Sequence, residues 1–280
     1  MKTDKIFLLI TLITLSLVSF GYSSTGSQIP YPIDNDNAVI ILGGELGSKK
    51  DLEHVTGYFK KNSNFDIYHI DFKVRGGIDA CSKSLKDKMA KLPLNQYKKV
   101  NFFCFILGGV TLRAVLENET IENLGNIVLI RGPIEERLAK VAVEVYPKFL
   151  IKIVKGQTVL DLAKINFGGF PKVNSKIGLI IETKPNTLAE KLIKRVKKKL
   201  KKKNKQKTFA YETTTFHPDS LHTTHQDFTY LALDHNQMYQ NPQLYLQEVI
   251  SFFNHGTFGK KADRSKVNST IHFFPFSIEE

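Results

Sequence analysis

The feature that most constrains this fold is a series of short, continuous apolar runs. Each is closed by glycine or a polar turn and followed by residues at helical spacing. "AVIILGG", "FDIYHIDF", "KVNFFCFI", "NIVLIRG", "KIGLIIET" and "FTYLAL" read as strands. "DLEHVTGYFKK", "GIDACSKSLKDKMAKL", "VTLRAVLEN" and "NPQLYLQEVISFF" read as helices. The second helix carries Ile78, Leu85, Met89 and Leu92 on one side. The fourth has Asn241 as N-cap and Pro242 at its first position. Strands that are apolar without alternation are buried on both faces. Alternating with helices, they predict an α/β class: a mostly parallel central sheet with helices on both faces.

The 280 residues, 42% of them hydrophobic, suffice for one large domain with a sizeable core. The net charge of +13 favours anionic partners; a general lysine bias in composition explains it equally well. Residues 1–23 have the layout of a signal peptide: basic "MKTDK", apolar "IFLLITLITLSLVSF", then small residues. The other reading is an uncleaved anchor, but the apolar run is shorter than the roughly 20 residues that span a bilayer. Export to the periplasm or the exterior is the expectation, with a linker over 24–37, a domain over 38–258 and a tail over 259–280. Cys81 and Cys104 are the two cysteines. Export permits a bond between them, and a buried Cys104 in a core strand is the alternative.

Residues 188–207 break the pattern. Leu188, Leu192, Val196 and Leu200 share one helical face, and Lys194, Arg195, Lys197, Lys198, Lys199, Lys201, Lys202 and Lys203 cover the rest. Such a segment either binds an anionic surface or lies as a solvated flap with its leucines turned inward. "FHPDSLHTTHQD" gathers His217, His222 and His225, a candidate metal cluster, although its spacing fits a polar surface loop better.

The stretch "VNFFCFILGGV" joins a strand to a helix through a tight turn. Together with its neighbours it resembles bacterial lipase/esterase-like members of the α/β-hydrolase superfamily, over Ala38 to Phe258. "VIILGGELGSKKDLEHV" resembles their first core strand and oxyanion loop. "YKKVNFFCFILGGVTLRAVLEN" resembles the strand, nucleophile elbow and helix. "LALDHNQMYQNPQLYLQEVISFFNHGTF" resembles the C-terminal histidine loop and helix. The resemblance implies four roles. Ile106 takes the nucleophile position, His235 the base position and Gln206 the acid position. Gly44, Glu45 and Leu107 take the oxyanion positions. A serine hydrolase needs a hydroxyl, an imidazole oriented by a carboxylate, and two N–H groups facing the oxyanion. Ile106 has no nucleophilic atom, Gln206 has no charge, and Glu45 would oppose an oxyanion. Cys104, inside the strand, is a poor substitute, and Ser48 reads as a helix cap.

The expectation is therefore an exported hydrolase-fold protein without triad catalysis. It would bind an anionic lipid, an envelope polyanion or a protein, touching the membrane peripherally, with no cofactor and no role for nucleic acid. The alternative is an active esterase with another nucleophile.

Overall fold

The computed structural model describes residues 33–43, 49–130, 139, 143, 146–165, 170–171, 173–183, 214–215, 225–265 and 270–271. Six parallel strands form one sheet in the order β2-β1-β3-β4-β5-β7. They are β1 (Asn37–Leu42), β2 (Asp66–Ile70), β3 (Lys99–Cys104), β4 (Leu124–Ile130), β5 (Ile177–Glu182) and β7 (Asp227–Leu231). Two further short strands, β6 (Thr214–Thr215) and β8 (Thr270–Ile271), pair antiparallel.

Side chains on a strand alternate between faces, so one apolar run feeds two cores. Ala38, Ile40 and Leu42 of β1 join Val100, Phe102, Ile127, Leu129 and Leu179 on one face. Helices α2 (Ile78–Met89) and α3 (Ile106–Leu116) cover that face with Leu85, Leu112 and Val115. Val39, Ile41, Phe103, Val128 and Ile180 point the other way. They meet Leu52, Val55 and Phe59 of α1 (Lys49–Asn62) and Leu246, Val249 and Phe252 of α7 (Leu246–His255). Each such buried side chain contributes on the order of 1.5–3 kcal/mol. The parallel sheet with helices on both faces is thus as expected.

Between β4 and β5 the chain forms α4 (Lys148–Lys155) and α5 (Gln157–Leu162). They turn on Gly156, whose φ of 83° suits glycine and whose missing Cβ would sit 2.4 Å from the Arg75 carbonyl oxygen. Asp161 of α5 accepts from the Ile78 N–H (3.1 Å), and Thr158 accepts from the Gly77 N–H (3.1 Å). The start of α2 is therefore capped by a distant segment. Leu162 then packs with Ile78, Leu107, Val110 and Ala139 in a third cluster.

Three expectations need correction. The closing helix does not begin at Asn241. Pro242–Leu244 form a 3₁₀ turn, and α7 starts at Leu246. The Asn241 side chain instead donates to the Gln237 carbonyl (2.9 Å), finishing the preceding helix. The helix after β3 starts at Ile106, ahead of the glycine pair. Residues 259–265, expected as tail, continue the domain. Asp263 bridges to Tyr230, and Arg264 grips Asp227 with Nε at 2.7 Å and Nη2 at 2.6 Å. Of the two alternatives for the cysteines the unbonded one holds: Cys81 and Cys104 are both free and buried. The N-terminal segment 1–32 and the basic segment 188–207 lie outside the described residues.

Candidate functional site

The chain runs from β1 outward to β2, then returns past β1 to β3. At such a reversal the connections leave opposite faces of the sheet and open a crevice beyond the carboxyl ends of the two strands. β1 ends there at Leu42, followed by Gly43, and β3 ends at Cys104. The Phe105 N–H donates to the Leu42 carbonyl (2.9 Å), and the Phe105 carbonyl accepts from the Gly109 N–H (3.0 Å). Phe105 is extended (φ −79°, ψ 161°), so a single residue converts strand to helix. Ile106, half-buried, is the first residue of α3.

The glycine pair behind it has a packing cause. A Cβ on Gly108 would lie 2.5 Å from the Leu42 carbonyl oxygen and 2.7 Å from the Leu42 Cβ. Only glycine lets α3 approach the end of β1 so closely. Gly109 faces the tip of Leu129 at 3.2 Å. These glycines are needed whatever chemistry the turn carries.

Past β7, Asp234 caps α6 (His235–Gln240). Its Oδ1 accepts from the Gln237 N–H (2.9 Å), and Gln237 Oε1 accepts from the Asp234 N–H (3.1 Å). This reciprocal pair is a capping box. His235 is thus the first residue of a short helix rather than part of a loop. One turn on, Tyr239 stacks on Phe105, with ring centroids 4.1 Å apart and planes at 15°. The Tyr245 hydroxyl donates to the Met238 carbonyl (2.9 Å) and fixes the helix from behind. Because every strand of this sheet is parallel, His235 and Ile106 stand at the same edge. α6 spans the gap between the end of β7 and the turn after β3.

Two further titratable groups reach this edge. β5 closes on Glu182, only 5% exposed. Burial holds the Tyr245 phenol well above its ordinary range, and neighbouring Tyr239 and Glu182 push it further. At the end of β2, burial lowers the His69 pKa more than Asp71 raises it, and Lys88 lowers it too. Its Nε2 lies 3.2 Å from Asp71 Oδ1 but is not aligned for a hydrogen bond. That nitrogen is 4.0 Å from where a Cβ on Gly43 would sit. Cys104 is fully buried, and desolvation pushes its thiol far up, so no thiolate is available there.

No family model matches the sequence, and no curated protein is similar to it. Solved structures are. The chain aligns with MGS-MChE2, an α/β hydrolase enzyme from the metagenome of lagoon sediments at Mar Chica, Morocco. The identity is 14% and the TM-score 0.52, over 79% of this chain and 92% of that one. It also aligns with an esterase from Exiguobacterium antarcticum (11% identity, TM-score 0.48, 79% and 93% covered). A third is the mature lipase BlEst2 of Bacillus licheniformis (14%, 0.47, 64% and 79%). The first likeness, joined to six parallel strands crossing over at β1 and β3, settles the architecture.

The chain has the α/β-hydrolase fold.

Within the α/β-hydrolase fold, the sequence-derived positions have different outcomes. Ile106 and His235 are brought to one edge. Leu107 is buried in the third cluster, beneath Leu162 of α5. Gly44, Glu45, Gln206, His217, His222 and the lysines of 194–203 lie outside the described residues. His225 packs edge-on against Phe228, with centroids 6.0 Å apart. Among the described residues, no group of three His, Cys, Asp or Glu could hold a metal ion. Sequence reading passed over Glu182, Tyr239 and His69. The signal for Glu182 was present: a carboxylate ending an apolar run that is buried throughout.

Proposed function

We propose that this chain is an exported, non-hydrolytic member of the α/β-hydrolase fold that binds an anionic ligand, a lipid or an envelope polyanion, or else a protein. The observation that carries the reading is Ile106. It occupies the first position of the helix after β3, where triad chemistry needs a hydroxyl or thiol beside a base. An isoleucine there offers a reacting carbonyl only an apolar branched surface. Cys104, two residues earlier, is buried and protonated. Retained framework and lost nucleophile together favour binding over turnover. The net charge of +13 favours an anionic ligand, and the basic–apolar–small layout of residues 1–23 supports export.

A second reading is favoured by a specific observation. His235 stands at the same edge, and the buried carboxylate of Glu182 ends a neighbouring strand. A histidine and an acid at that edge are what an esterase with an unrecognised nucleophile would keep, and its substrate would be a carboxylic ester. Treatment of the purified protein with a fluorophosphonate probe separates the two. The binding reading expects no covalent adduct and no ester turnover above buffer. Labelling that disappears in His235→Ala would establish the esterase instead.

A further inference from the structure

We propose that the exposed face of α4 docks on an anionic lipid surface. Phe149 and Ile153 enter the boundary between headgroups and acyl chains, and Lys148 and Lys152 meet the lipid phosphates. The proposal deepens the lipid-binding reading and assigns it to residues other than Ile106 and those of the basic segment.

The starting point is an apolar pair on the wrong side of a helix. Phe149 is 64% exposed and Ile153 67%. They are four residues apart, so they are neighbours on one face. They are not the core stripe of α4. That is supplied by Leu150, Ile151 and Val154, with Ile151 buried and the other two half-buried. Lys148 and Lys152, also four apart, are exposed beside the apolar pair. The helix contains no acidic residue. At its far end Arg75, exposed, donates to the Ile153 carbonyl from Nη2 (2.5 Å) and adds a third positive charge. A large apolar side chain and a branched one, rimmed by cations, match what an interfacial helix presents to anionic lipid.

Charge and size argue for lipid over a protein partner. A stable protein interface buries roughly 800 Å² on each partner, far more than two side chains provide. Shallow insertion needs only those side chains and a cationic rim, with each lysine or arginine near an anionic surface strengthening binding roughly fivefold. The face is also held in place. The Gln157 N–H donates to the Arg75 carbonyl (2.9 Å), the Gly156 N–H to the Lys152 carbonyl (3.1 Å), and Asp161 fastens α5 to α2. A pre-ordered face loses little conformational freedom on docking.

The test uses the full chain and vesicles of phosphatidylcholine with or without phosphatidylglycerol. The sequence has no tryptophan, so Phe149→Trp introduces a single reporter. Its emission is expected to shift to the blue on phosphatidylglycerol vesicles and not on phosphatidylcholine alone. In co-sedimentation, Phe149→Ser with Ile153→Ser should weaken binding about tenfold or more. Lys148→Gln and Lys152→Gln should each weaken it about fivefold. An unshifted emission, or unchanged binding by the double serine variant, overturns the proposal. If binding instead collapses when the lysines of 194–203 become glutamine, the lipid-binding reading survives and this surface does not. If the wild type binds no vesicle, both fail.

Discussion

At the amino end of the sheet, polar side chains join the strands. Asp66 accepts from the Asp34 N–H (3.0 Å), the Asn35 side chain (2.7 Å) and the Tyr97 hydroxyl (2.8 Å). Asn101 links Ala38 of β1 to the backbone of Asn126 in β4, and Asn126 reaches the Phe252 and Phe253 carbonyls at 3.1 Å each. Asp227 holds Arg264 and the Phe258 N–H (2.7 Å). At the turn after β3, on the carboxyl end, shape dominates: α3 pressed onto Leu42, Phe105 stacked on Tyr239, and Ile106 at the head of the turn. Directional bonds fail when one partner is changed, because the other is left buried and unpaired. A shape-held turn accepts an apolar group in place of a hydroxyl. An apolar side chain at the head of this turn therefore leaves the frame undisturbed.

The contrast is broken most sharply at Gly108. Alanine there improves helix propensity by about 1 kcal/mol, but its Cβ meets a backbone carbonyl that cannot rotate away. A net loss of about 3 kcal/mol is expected in urea unfolding. Gly109→Ala, facing only a leucine tip, should stay within about 1 kcal/mol.

Next comes Arg264→Ala, expected to cost about 2 kcal/mol near neutral pH by stripping charged hydrogen bonds from Asp227. Burial alone pushes the Asp227 pKa up, but Arg264 and the Phe258 and Phe228 N–H groups outweigh it and leave it below 3.8. A depressed carboxylate contributes fully above the unfolded value and loses its contribution as pH falls through the folded one. The gap between wild type and variant should therefore be widest near neutrality and close below about pH 3.8. A gap that stays constant with pH would show that Arg264 acts by packing alone.

Asn126→Leu should cost about 1–2 kcal/mol, since two carbonyls of α7 lose a donor. A neutral result in thermal denaturation would remove Asn126 from the polar frame.

Smallest is Ile106→Ser. It exchanges a half-buried branched side chain for a hydroxyl, about 1 kcal/mol. Its turnover of short-chain esters should remain near background, because triad members act as a unit. Substantial turnover would mean the rest of the machinery had survived intact.

The sheet was legible because its strands are continuous apolar runs, and placing Ile106 and His235 at one edge follows from parallelism alone. The polar frame was not legible. Asn101 and Asn126 look like interruptions until their partners on β1 and α7 are known. Asp161 caps α2 from far along the chain, a contact no local pattern reports. The helix pair α4–α5 escaped notice because "KFLIKIVK", although its lysines share one face opposite an apolar arc, is only eight residues long and carries no glycine or proline signal at its start beyond Pro147. His235 was found, but not its helix, since Asp234 and Gln237 form a cap only once the backbone turns.

The aromatic packing has an optical consequence. With no tryptophan in the chain, ultraviolet signals come from phenols, and Tyr68, Tyr97, Tyr230, Tyr239 and Tyr245 are all buried. Tyr97, Tyr230 and Tyr245 are each held above the ordinary value of 10, chiefly by desolvation. In an alkaline titration followed by phenolate absorbance, Tyr97, Tyr230 and Tyr245 ionise late. Their stabilising protonated form is favoured below about pH 10 and its contribution declines above it. The late absorbance rise then doubles as a label-free clock for the opening of the core, and near-ultraviolet dichroism reports whether that core is intact in each variant.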